Sequence, residues 1–160
     1  MRVARSLVFA AGLLLAAAPH AVADATVFIG STTTPNARQA RGFAVGGGIL
    51  AFGFEFEYSD TREELEDGAP SLRTGMGNVL LQTPIAIKGF QPYFTTGFGG
   101  YRESLNEQSE TQLGGNVGGG LKMRVAGPLR ARFDYRVFRL RGEPLHEIVH
   151  RLYVGANLSF

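Results

Sequence analysis

Near its end the chain reads His146-Glu147-Ile148-Val149-His150, the spacing H-E-x-x-H. On a helix this pattern puts two imidazoles one turn apart. Both ring nitrogens can then reach one zinc at about 2.1 Å, and the glutamate can act on the bound water. On a strand, residues four apart lie about 13 Å from one another, too far to share an ion. Pro144 in a first turn, with Leu145, Ile148, Val149 and Leu152 as a stripe, would suit a helix locally. A third protein ligand is also needed, and the ten residues after His150 contain no His, Asp or Glu. Those residues, "RLYVGANLSF", alternate apolar and polar, the period of a strand. The segment is therefore expected to be a closing strand, with no metal and no cofactor. Cysteine is absent, which excludes thiolate metal sites, disulfides and a lipid-modified cysteine. The glycine clusters lack the G-x-x-x-x-G-K-[ST] spacing of a phosphate loop. The acidic run Glu63, Glu64, Glu66, Asp67 lacks the spacing of a calcium loop and reads as a solvated loop.

The elements around the motif carry the same period. In "FGFEFEYS", Phe52, Phe54, Phe56 and Tyr58 share one face, and Gly53, Glu55, Glu57 and Ser59 the other. In "LRARFDYRV", Leu129, Ala131, Phe133, Tyr135 and Val137 oppose Arg130, Arg132, Asp134 and Arg136. Alternation with aromatic and β-branched enrichment indicates strands. Eight are expected, over roughly 25–33, 42–50, 53–61, 72–83, 90–102, 112–124, 129–140 and 147–160. The fourth, "RTGMGNVLLQTP", alternates poorly and is expected to carry a bulge. Polar segments 34–41, 62–71, 103–111 and 141–146 read as long loops. They alternate with tight links near Ala51-Phe52, at "PIAIKG" and at "AGP".

The first residues belong to a different device. Arg2 and Arg5 precede the apolar run Leu7–Ala18, and Ala21-Val22-Ala23 follows. This is the order of a secretory signal peptide with an A-x-A cleavage site. The twelve apolar residues are fewer than the about 20 that span a bilayer as a helix. Residues 1–23 are expected to be removed, leaving 24–160 as one domain. The full chain holds 16 Lys+Arg and 14 Asp+Glu, so without Arg2 and Arg5 it carries fourteen of each. No net charge remains to favour nucleic acid as a partner.

An exported, non-helical chain can cross a membrane only as a closed barrel. In that arrangement the rings of Phe52, Phe54, Phe56, Tyr58, Phe133 and Tyr135 face lipid. Glu55, Glu57, Lys122, Arg124, Arg130, Arg132, Asp134, Arg136 and Arg151 face inward, where acids and bases can pair. Eight strands leave an interior just wide enough for side chains to fill, so these groups are expected to plug it. The inverted arrangement, a soluble barrel, would crowd all those rings into that same narrow interior. At the rim, Arg38, Arg41, Arg139 and Arg141 could pair with lipid phosphates.

The segments "GFEFEYSD", "FQPYFTTGFGGY", "GGNVGGGLKMRV" and "RLYVGANLSF" resemble those of the small eight-stranded outer-membrane β-barrels of Gram-negative bacteria, the OmpA/OmpX-like and opacity-protein-like group. The resemblance covers the whole of 24–160. It implies an all-β, closed, antiparallel eight-stranded transmembrane barrel, with N-terminus and short turns in the periplasm and long loops outside. It also implies outer-membrane lipids and lipopolysaccharide as surroundings, and a role in envelope integrity or surface adhesion. In the family a last strand ending in an aromatic residue is read by the outer-membrane assembly machinery. Here that pattern is Leu152, Val154, Ala156, Leu158 and Phe160. No peptidoglycan-binding domain is expected with it, so cell-wall tethering is not carried over from the resemblance. Some barrels of this kind modify lipids, with His and Ser two apart on one strand. Neither His146 nor His150 has such a serine, and Ser104 and Ser109 lie far off in the sequence. A narrow pore and a lipid-modifying enzyme are the alternatives to a structural or adhesive barrel.

Overall fold

The computed structural model describes residues 22–106 and 108–160. They form eight strands: β1 Val22–Thr32, β2 Arg38–Ile49, β3 Phe52–Thr61, β4 Ser71–Gln82, β5 Phe90–Leu105, β6 Gln108–Ala126, β7 Leu129–Leu140 and β8 Ile148–Ser159. Each pairs antiparallel with the next, and β1 pairs with β8 from Asp24↔Ser159 to Thr32↔Arg151, closing a barrel. Closure leaves no strand edge unpaired, the condition for a sheet in hydrocarbon.

The pleat sorts the side chains. Along β3, Phe52, Phe54, Phe56 and Tyr58 point outward and are exposed, Phe54 at 67 %. Between them Glu55, Glu57 and Ser59 are buried. On β7, Phe133 and Tyr135 are likewise exposed, while Arg132, Asp134 and Arg136 are buried. Val27, Ile29, Val45, Phe94, Phe98, Leu152, Val154 and Leu158 extend the apolar outer surface. So large a continuous apolar surface is unstable against water, at about 25 cal/mol per Å² of exposed area, and suits contact with lipid.

Three features differ from the sequence-based expectation. The β5–β6 connection is a hairpin with strand pairing up to Leu105↔Gln108, where a loop over 103–111 was expected. Asn106, one of the residues best able to adopt positive φ, turns it at φ 55°. The stretch is polar because both faces of a strand that outruns the lipid are wet, so composition hides it. The break in register lies between Arg124 and Ala126, beside the Gly127-Pro128 turn, whereas β4 is continuous with both neighbours. Finally, link 83–89 is longer than loop 33–37, so long and short links do not strictly alternate.

Residues 1–21 of the proposed signal segment lie outside the described residues. Val22 and Ala23 are part of β1, and Ala23 exchanges two backbone hydrogen bonds with Phe160, at 2.8 and 2.9 Å.

Candidate functional site: the filled lumen and its rims

Four strands aim ionisable groups at the middle of the barrel: Glu55 and Glu57 from β3, Tyr93 from β5, Arg132, Asp134 and Arg136 from β7, Arg151 and Tyr153 from β8. Gly120 on β6 makes room for them, since a Cβ there would collide with the Tyr93 hydroxyl and the Phe133 carbonyl.

Arg132 is fully buried and engages Glu55 with both terminal nitrogens, Nη1 to Oε2 and Nη2 to Oε1 at 3.2 Å. Its Nη2 also donates to Asp134 Oδ2 at 2.9 Å, and its Nε to the Tyr93 hydroxyl at 2.7 Å. Arg136 donates Nε to Asp134 Oδ1 and Nη2 to Glu55 Oε1, each at 2.9 Å. Its Nη1 lies 3.0 Å from Glu57 Oε2, an ion pair without hydrogen-bond geometry. Arg151 donates to Glu57 Oε1 at 3.2 Å and to Thr74 at 3.4 Å, with its guanidinium 4.3 Å from the Phe138 ring centroid. Tyr153 reaches Asp134 Oδ2 at 2.8 Å and Glu57 Oε2 at 3.2 Å, and Tyr93 also bonds Asp134. Three guanidinium groups thus meet three carboxylates. Toward the turn end Lys122 pairs with Asp24 at 2.5 Å, and Asn157 donates to the same carboxylate at 3.0 Å. Each charge in this central set has an opposite partner, which is what makes its burial tolerable.

Two expected members of this set lie elsewhere. Arg124 is exposed at the turn end, just ahead of the register break. Arg130 is half-buried and donates to Gln91 Oε1 at 2.9 Å rather than to an acid. Both sit where the strands leave the interior, so alternation still aims them inward but there is no longer an interior to enter.

Above the ionic layer, toward the loops, lies an apolar one: Leu72, Met76, Tyr101, Phe138, Leu140 and Val149. The Tyr101 hydroxyl donates to the Arg141 carbonyl at 2.5 Å. Arg38 caps this end by donating to the carbonyls of Pro70 and, at 2.7 Å, Thr34. Glu103 accepts from the Leu145 N–H at 2.9 Å. At the turn end a vestibule of about 420 Å³ opens between Asp24, Gln82, Gln91, Arg124 and Arg130. Beyond it, beside Lys122 and Glu55, the free volume falls to about 10 Å³, about the room one water needs.

Sequence reasoning missed Tyr93, Tyr153, Asp24 and the apolar layer. Phe138 and Leu140 were legible, because they continue the inward parity of Arg132, Asp134 and Arg136.

The H-E-x-x-H residues are split. His146 lies in the link 141–147, and His150 in β8. His150 is on the outer face, its Nδ1 2.7 Å from the Tyr135 hydroxyl and its ring 6.1 Å from that ring. Ser109 Oγ accepts from Arg102, and the Ser104 carbonyl accepts from Ser71; neither serine contacts a histidine through these bonds. Among the described residues no three of His, Asp and Glu are grouped to hold a metal.

Solved structures share this architecture. Neisserial surface protein A matches with a TM-score of 0.66 and 15 % identity over 88 % of this chain and 96 % of its own. The N-terminal β-barrel domain of Pseudomonas aeruginosa OprF matches at 0.66 and 14 % over 89 % and 99 %. The outer membrane enzyme PagL matches at 0.55 and 12 % over 84 % and 98 %. No protein-family model and no curated protein matches the sequence. The fold is that of the small eight-stranded outer-membrane barrels. Within that class, this chain is one whose lumen is filled by side chains.

Proposed function

We propose that the protein is an integral outer-membrane barrel whose work is mechanical and interfacial, in envelope integrity or surface adhesion. In this reading residues 1–23 direct export and are removed. The turn end faces the periplasm, and the loops 33–37, 62–70 and 141–147, with the β5–β6 hairpin, face outward. The outward residues Leu152, Val154, Ala156 and Leu158 of β8, with Phe160 just after it, serve as the assembly signal. The observation that carries the reading is the charge-matched lumen, in which Arg132, Arg136, Arg151 and Glu57 are 0 % exposed. A conduction path would need to part several ion pairs at once.

Fractionation of expressing cells, with gel mobility compared before and after heating, tests location and fold. The expected result is outer-membrane material whose mobility shifts on heating, with no steps of conductance in planar bilayers. Soluble periplasmic material would refute the membrane reading, and steady ion conductance would refute the plug.

A narrow pore is the second reading, favoured by the vestibule at the turn end. It predicts conductance that changes on replacing Arg132 or Arg136. A lipid-modifying enzyme predicts an altered lipid A mass spectrum on expression, abolished by His150→Ala. The Tyr135 hydroxyl lies beside His150, but among the described residues no carboxylate hydrogen-bonds the His150 ring, so this pair lacks the acid that orients the base of an activated nucleophile.

A further inference from the structure

Cross-strand register arranges the outer face of β2–β5 into rows. At the loop end one row runs Arg41, Asp60, Arg73, Arg102. The next row toward the turns runs Phe43, Tyr58, Gly75, Gly100, and the one after it Val45, Phe56, Gly77, Phe98. Successive rows are about 6.8 Å apart along the strands. Beneath the Arg73–Arg102 pair the sheet is therefore bare, walled by Phe56 on one side and Phe98 on the other. Two rows below the arginines, from Gly77 between Phe56 and Phe98, a groove of about 750 Å³ runs on past Val79 and Thr96.

Two observations show that this surface is unfinished by the protein itself. The first is electrostatic. The row holds three guanidinium groups and one carboxylate. Arg73 donates Nε to Asp60 at 3.0 Å, and Arg41 lies 3.7 Å from the same carboxylate. Among the described residues Arg102 bonds the Ser109 hydroxyl, at 3.3 Å, and no carboxylate. Like charges directly opposite across strands are destabilising unless an anion lies between them. The second is steric. A Cβ at Gly75 would come no closer than 3.9 Å to Phe56, at Gly77 3.8 Å to the Phe98 carbonyl, and at Gly100 4.0 Å to the Gln112 carbonyl. All are ordinary contacts, and none of the three has positive φ. Packing within the barrel does not demand glycine at these places.

We propose that this face binds the phosphorylated glycolipid of the outer leaflet, lipid A. A phosphate sits between Arg73 and Arg102, and an acyl chain lies along the groove between Phe56 and Phe98. Guanidinium groups suit the site because each offers paired N–H donors to phosphate oxygens. A second copy of the chain fits less well. Two barrels with the same orientation in one membrane, related by a two-fold axis along its normal, would bring their arginine rows face to face. On the other side of Phe98 a smaller groove is lined by both Arg139 and Glu147, whose charges oppose. This inference rests on the proposed outward orientation of the loops.

The test is native mass spectrometry of the purified, detergent-folded protein titrated with hexa-acylated, bis-phosphorylated lipid A. We expect wild-type protein to retain lipid A at least tenfold better than the dephosphorylated form. The Arg73→Gln/Arg102→Gln variant should lose that preference. Gly77→Leu, which fills the groove, should weaken retention tenfold, whereas Arg139→Gln should not change it. Heat-modifiable mobility of each variant separates lost binding from a lost barrel. Retention by the double glutamine variant equal to wild type overturns the proposal. So does equal retention of the dephosphorylated form, or equal displacement by phosphatidylglycerol. Fractionation of the protein away from the outer membrane would refute the location reading, and the detergent titration would still decide the binding chemistry by itself.

Discussion

The barrel interior has two layers that are both buried but held by different physics. Around Arg132 and Arg136, position is set by directional, charge-assisted bonds; around Leu72 and Met76, by shape and volume. The ionic layer tolerates volume errors poorly and valence errors hardly at all. The apolar layer tolerates a swap of similar volume. The difference teaches that burial alone does not rank these positions: what a substitution leaves behind does.

The sharpest break of the comparison is Arg136→Met. It strands Asp134, Glu55 and Glu57 with two guanidinium groups for three carboxylates. Removing one partner of a buried pair costs about 3–5 kcal/mol. The midpoint of urea unfolding in detergent should fall accordingly, and Arg136→Lys should recover little, since one ammonium cannot replace the forked contacts to Asp134 and Glu55. Next comes Leu72→Ala in the apolar layer, expected to cost about 3 kcal/mol through lost burial and a cavity. There the conservative change behaves differently: Leu72→Met should cost less than about 1.5 kcal/mol. If Arg136→Lys and Leu72→Met were equally mild, the distinction between the layers would fail. Among the substitutions that delete an interaction, the smallest effect is that of Tyr153→Phe. It keeps the stack on Phe28 at 4.1 Å and deletes the hydroxyl that Asp134 accepts from. A loss of about 2 kcal/mol is expected for a bond to a charged group.

The same two layers show what is legible in the sequence. A period of two identifies strands and assigns parity. Parity places Phe54 and Phe133 on one face and Glu55 and Arg132 on the other, because one residue of slip would invert all of them together. Parity says nothing about height along the barrel. Arg124 and Arg130 have inward parity yet lie at the mouth, and the β5–β6 hairpin outruns the apolar band. Nor does it reveal which polar groups meet. Tyr93 and Arg132 are 39 residues apart in sequence, and the pairing of β5 and β7 on either side of β6, across Gly120, brings them together. The H-E-x-x-H pattern shows the converse: residue types are legible, but here they are split between the link 141–147 and β8 instead of gathered on a helical turn.

The central claim is that aromatic rings touch hydrocarbon and charged groups meet one another inside. The chain contains no tryptophan, so one introduced at a time reports without background. Phe54→Trp, Phe133→Trp and Met76→Trp variants, folded into bilayers containing lipids brominated on the acyl chain, test it directly. The account predicts strong quenching at 54 and 133 and little at 76. Unquenched emission at 54 and 133, with quenching at 76, would contradict it.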